Sequence, residues 1–159
     1  MSKKKSSTPR SRVGQKSGQG IAFELLPGGT VPSRQTAGAV GYDLCAAEPV
    51  RIRPGEQHII PTGVRIAIPE GFEGQVRSRS GLAANNQVFV LNSPGTIDPD
   101  YRGEIKVILR NEGRVVFVVK RHDRIAQLVI SPVATPKLVQ VEDLDKTARG
   151  AGGLGSTGK

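Results

Sequence analysis

From residue 21 onward the chain is cut into short apolar, β-prone runs, none long enough for an ordinary helix and each closed by Gly, Pro, Asn or Asp. Residues 21–26 form the first run, and the turn Pro27-Gly28-Gly29 stops it. Residues 42–46, 50–53, 58–61, 64–68 and 74–79 follow, then 88–91, 105–110, 115–119 and 125–130. Only residues 81–86 suggest a helix, of one or two turns. Strands never alternate with helical stretches, which argues against a doubly wound parallel sheet. About ten short strands within about 120 residues predict an all-β sandwich or barrel of jelly-roll type. Aromatics make up 4% of the chain and Trp is absent, so the core must be packed with Val, Ile and Leu. With 159 residues the chain has room for one domain, expected over residues 21–144.

The formal charge of +9 is concentrated at one end. Residues 1–20 hold Lys3, Lys4, Lys5, Arg10, Arg12 and Lys16 and no acid, leaving 17 basic against 14 acidic groups in the rest. That Ser-, Gly- and Lys-rich segment has nothing to bury and reads as a disordered basic tail. A solubilising leader is its simplest role, with polyanion or nucleic-acid contact as the alternative. No apolar run has the length of a membrane span, and the N-terminus lacks the apolar stretch of a secretory signal. The single cysteine, Cys45, asks for no oxidising compartment. A cytoplasmic location is expected, or a nuclear one in a eukaryotic cell.

The Gly-rich end, residues 145–159, carries two false motifs. Residues 150–155 satisfy G-x-G-x-x-G, and residues 153–159 begin like a phosphate-binding loop. Both devices need a following helix, and the sequence stops at Lys159. What remains is a run of converging backbone N–H groups beside Arg149, Ser156 and Thr157, the chemistry of a polyanion nest; the plain alternative is a frayed terminus. Asp98 stands in a turn-rich stretch and Asp43 at a strand, where a carboxylate can activate water or hold the water shell of Mg²⁺. Either could also be an ordinary turn or strand-end residue. Arg79-Ser80-Gly81 could grip phosphate, or Ser80 could be a simple helix N-cap. His58 and His122 lack a ligand pattern around them and read as surface or structural residues rather than zinc ligands.

Five segments in order resemble the five motifs of the trimeric dUTP pyrophosphatase (dUTPase) family: AGAVGYDL (37–44), RSGLA (79–83), NSPGTIDPDYRGE (92–104), DRIAQL (123–128) and RGAGGLGSTG (149–158). RSGLA is a weak signal alone, whereas GTIDPDYRGE is strong. The resemblance implies a jelly-roll-like subunit in a homotrimer with sites between subunits. It also implies a mobile C-terminal arm that closes over a site built by the others. The activity implied is Mg²⁺-dependent hydrolysis of dUTP to dUMP and pyrophosphate, which limits uracil incorporation into DNA and supplies dUMP for dTMP synthesis.

By the same resemblance, the hairpin holding Asn92, Gly95, Thr96 and Ile97 reads uracil, largely through its backbone. Tyr101 packs under the deoxyribose and excludes a 2′-hydroxyl. Asp98 orients the attacking water and contacts the 3′-hydroxyl, and Asp43 holds Mg²⁺ through water. Arg79, Ser80, Gly81 and Gln127 line the α- and β-phosphates, with Lys106 near the nucleotide. Arg149, Ser156 and Thr157 bind the terminal phosphate, and Leu154 and Gly155 belong to the same substrate-binding arm. The departure is Leu154, where the family's arm carries an aromatic that stacks on uracil. Three rival readings follow from the same residues: a dCTP deaminase of the same fold, a non-catalytic nucleotide-binding protein, and nucleic-acid binding through residues 1–20.

Overall fold

A computed structural model describes residues 20–153. The basic tail apart from Gly20 therefore lies outside the described residues, as do Leu154, Gly155, Ser156 and Thr157. Eleven strands and one short helix make up the rest, so the all-β expectation holds. In chain order they are β1 (Phe23–Leu25), β2 (Tyr42–Cys45), β3 (Val50–Ile52), β4 (Gln57–Pro61), β5 (Val64–Ile66) and β6 (Phe72–Arg77). Then come α1 (Ser80–Asn86), β7 (Val88–Val90), β8 (Gly95–Ile97), β9 (Lys106–Asn111), β10 (Phe117–Val119) and β11 (Arg124–Pro132). Among the described residues no helix is long and apolar enough to cross a membrane.

All named pairings are antiparallel. The largest sheet runs β2-β11-β6-β8, a second runs β4-β9-β7, and the pairs β1-β5 and β3-β10 complete the wall. Period-two burial explains why these segments are strands. Along β9 Val107, Leu109 and Asn111 point inward while Lys106 is exposed. Leu44, Ile52, Ile60, Ile105, Leu109, Ile125 and Leu128 meet in one core from which water is fully excluded. Each such side chain stabilises the fold by about 1.5–3 kcal/mol. No aromatic is among the buried residues, as the composition requires. The helix is built on Leu82, Ala83 and Ala84, good helix formers, and ends where Gln87 turns left-handed (φ 55°) and its N–H caps the Ala83 carbonyl.

Ten of the eleven strands fall within or overlap the expected runs; β8 does not. It sits inside the stretch read as turn, and β6 supplies its pairing, with Val76 opposite Gly95 and Gln75 opposite Thr96.

One buried polar residue, at the end of β9, fastens β3 to the loop that leads into β10. The Asn111 side-chain amide donates to the carbonyls of Ile52 (2.8 Å) and Val115 (2.9 Å), and its oxygen accepts from the Gly113 N–H (2.9 Å). Asn111→Leu keeps the branched shape but removes the donor from the buried Ile52 carbonyl, while the part-buried Val115 carbonyl and Gly113 N–H can turn to water. At about 1–3 kcal/mol for one unsatisfied buried group, stability should fall by about that amount. Urea unfolding at fixed protein concentration checks this, and a near-native midpoint would remove Asn111 from its structural role.

Candidate active site

β8 is an edge strand, so among the described residues one side of its backbone has no strand partner. A cavity of about 350 Å³ opens beside it. Gly95, Thr96 and Ile97 line it together with Asn92, Asp98, Tyr101 and Lys106. The sequence-derived hairpin residues are thus brought together. A Cβ at Gly95 would lie 3.0 Å from the Asn92 amide nitrogen, so the amide rests close against the strand and would have to give by a few tenths of an ångström to admit a side chain. The Tyr101 ring folds over Gly103, and its hydroxyl donates to the Glu104 carbonyl at 2.9 Å. The Asp98 side chain is exposed, and among the described residues its carboxylate has no hydrogen bond or ion pair. It is available to a ligand or to water.

Sequence reasoning passed over two cavity residues, Val76 and Glu104. The Glu104 carboxylate accepts the Gly63 N–H at 2.8 Å, which pins the end of the hairpin stretch to the body. No local sequence signal marks a partner 41 residues away.

A second group gathers where β2, β11 and the start of α1 meet. Gln127 lies opposite Asp43 on one side and Arg77 on the other, in the middle of the sheet. Its amide donates to the Ser78 carbonyl at 3.0 Å. Asp43, with its side chain only 13% exposed, has one carboxylate oxygen 3.5 Å from Arg79 Nε and the other 3.1 Å from Arg124 Nη1. Arg79 also donates to the Arg124 carbonyl at 2.8 Å. Arg124 was quoted in its motif but given no role. Its register with Cys45, ahead of an irregularity between Arg124 and Ala126, sets it beside Asp43. Burial, then the Asp43 charge, pushes the Cys45 thiol above its ordinary range, so it stays a neutral thiol rather than a nucleophile.

The N-cap reading of Ser80 is corrected by the backbone. Arg79 takes the cap position in extended conformation with no side-chain cap bond, and Ser80 is the first helical residue. Its hydroxyl and the exposed Gly81 therefore face away from capping duty. His122 shares a 2.9 Å hydrogen bond with Thr30, a structural contact. Among the described residues no three His, Cys, Asp or Glu side chains converge as metal ligands.

The two groups do not merge within one chain: Asp43, Arg79 and Gln127 are absent from the lining of the hairpin cavity. Arg149 donates to the Gly152 carbonyl at 2.8 Å, within its own turn.

Fold and site together define a jelly-roll-like all-β protein with a cavity along a sheet edge. The dUTPase family model matches residues 28–158. The chain belongs to the dUTPase family. It is 52% identical over 137 residues to the deoxyuridine 5'-triphosphate nucleotidohydrolase of Wolinella succinogenes, covering 86% of this chain and 92% of the relative. An Anaeromyxobacter protein of the same name is 52% identical over 148 residues, covering 93% and 95%. Among solved structures, the dUTPase of Staphylococcus bacteriophage 80alpha with dUPNHPP superposes with a TM-score of 0.82 at 30% identity, covering 88% of this chain and 99% of the phage protein. A mutant dUTPase of the S. aureus phage phi11, described with a structural Mg(II) ion, gives 0.74 at 28% identity, covering 79% and 98%.

Proposed function

We propose that this protein hydrolyses dUTP to dUMP and pyrophosphate. The observation that carries the reading is the hairpin cavity, where an edge strand offers unpaired backbone groups beside a side-chain amide and an unpartnered carboxylate. Uracil presents acceptors at O2 and O4 and a donor at N3, a pattern that backbone groups and Asn92 can match. Tyr101, anchored through its hydroxyl, is the platform for the deoxyribose. Asp98 takes a proton from water as the water oxygen attacks the α-phosphorus. The bond to the bridging oxygen then breaks, and pyrophosphate departs. Arg79, Ser80, Gly81 and Gln127 bind the α- and β-phosphates and Lys106 the nucleotide, while Arg149, Ser156 and Thr157 take the terminal phosphate. Leu154 and Gly155 cover the base. Most of the acceleration then comes from positioning and charge neutralisation.

The residues fit magnesium brought in with the triphosphate better than a metal held by protein alone. A single carboxylate, Asp43, suits an ion that keeps most of its waters. When bound, the ion neutralises charge on the phosphates.

We place the active form as a homotrimer with shared sites. Two features support this: the site residues form two separate groups in one chain, and residues 134–144 run without strand pairing. That stretch leaves Leu138 and Leu144 more than four-fifths exposed, with Val139 and Val141 also in water. In the cell we place the activity in the cytoplasm, where it would keep dUTP from DNA synthesis and provide dUMP for dTMP.

Pyrophosphate release from dUTP, compared with UTP, dTTP and dCTP, tests the reading; no release from dUTP overturns it. A second measurement tests Tyr101. In Gly103→Ala the new methyl collides with the Tyr101 ring and hydroxyl. Forced repacking costs 1–3 kcal/mol, so KM for dUTP should rise about tenfold. An unchanged KM would remove Tyr101 from substrate binding.

A further inference from the structure

Within one chain the groups assigned to the metal and to the phosphates satisfy one another. Both oxygens of Asp43 are held by guanidinium groups, one from Arg79 and one from Arg124. Arg79 is tied in turn to the Arg124 carbonyl, so the two arginines form a single unit around one carboxylate. We propose that Arg124 is a positioning residue: with Arg79 it clamps Asp43 until a metal-bound triphosphate arrives, and releases it by exchange of partners. The proposal rests on the dUTP reading and assigns a role to a residue that reading leaves unused.

The argument is electrostatic. A cation that approaches Asp43 alone meets two guanidinium charges already in contact with the carboxylate, and binding it would leave both arginines without an anion. A triphosphate that approaches alone finds the arginines already neutralised. When metal and triphosphate come together every charge keeps a partner: phosphate oxygens take the guanidinium groups, and the carboxylate takes the waters of the metal. Because the Asp43 side chain is 13% exposed, solvent compensates poorly for a half-completed exchange. The clamp therefore couples the two ligands and discourages free divalent cations.

Manganese reports this without turnover. The intact protein is titrated with Mn²⁺, and free Mn²⁺ is read by electron paramagnetic resonance with and without α,β-imido-dUTP. Wild type should bind Mn²⁺ weakly alone and much more tightly with the analogue. Arg124→Gln should tighten ligand-free Mn²⁺ binding by roughly fivefold, the equilibrium factor of one partly exposed ion pair. Arg124→Lys, which keeps the charge, should stay near wild type, and adding Asp43→Asn to Arg124→Gln should abolish the gain. Arg124 is 43% exposed, so its truncation leaves no cavity. Were that variant nonetheless unfolded, Arg79→Gln would decide by the same gain. Unchanged or weaker ligand-free binding in the folded variant overturns the clamp while the dUTP reading stands. A wild type with no analogue-dependent Mn²⁺ binding and no dUTP hydrolysis overturns both.

Discussion

Replacing Asp98 by asparagine is expected to lower kcat for dUTP by two to four orders of magnitude while leaving binding of a non-hydrolysable dUTP analogue near its normal strength. Asp98 lines the hairpin cavity, and its carboxylate has no ion pair or hydrogen bond among the described residues, so nothing described in the fold depends on its charge. Asparagine matches it in shape but cannot take a proton, and general base catalysis contributes about 10²–10⁴-fold. The proposed uracil contacts lie on β8 and Asn92, which the substitution leaves in place. The loss should therefore fall on kcat and not on affinity. Single-turnover rates and calorimetry with the analogue separate the two. A near-normal kcat would show that another group activates the water.

Discrimination between bases should be larger still. We expect kcat/KM for dUTP to exceed that for dCTP by roughly 10⁴-fold or more, because a site that pairs with one polar edge leaves buried groups unpaired when the edge is reversed. Cytosine reverses donor and acceptor at positions 3 and 4. The unpartnered backbone along β8 is fixed by its pairing with β6 and cannot reverse to suit. Pyrophosphate release from each nucleotide measures the ratio, and an ammonia assay with dCTP separates hydrolysis at phosphorus from deamination at C4. Comparable rates on the two nucleotides would remove uracil recognition from the hairpin.

Most of the wall of this protein could be read from spacing. Alternating or continuous Val, Ile and Leu bounded by turn residues locate ten strands, since such runs must bury one face wherever they occur. The eleventh escaped because Gly95-Thr96-Ile97 has no pattern of its own; its strand character comes from β6, about twenty residues back. Residue chemistry alone marks Asp43, Arg79, Asp98 and Arg149 as candidates, but the hairpin residues were legible only through the motif resemblance, because no periodicity says that Asn92 and Lys106 share a cavity. Arg124 shows where this stops. Its partner Asp43 is 81 residues away, and an arginine at a strand start looks the same whether it meets solvent or a carboxylate. Asn111 was likewise invisible: it follows the last residue of an expected strand, and only the packed structure reveals that its amide is buried and fully bonded.

In the proposed homotrimer the unpaired stretch after β11 ties folding to mass action. A chain that leaves Leu138, Val139, Val141 and Leu144 in water has apolar surface that its own core does not cover. Whatever covers it adds association free energy to folding free energy, and association depends on concentration as packing within one chain does not. The melting temperature of such a protein is then a property of the solution as much as of the sequence, and dilution acts on it as a mild denaturant would.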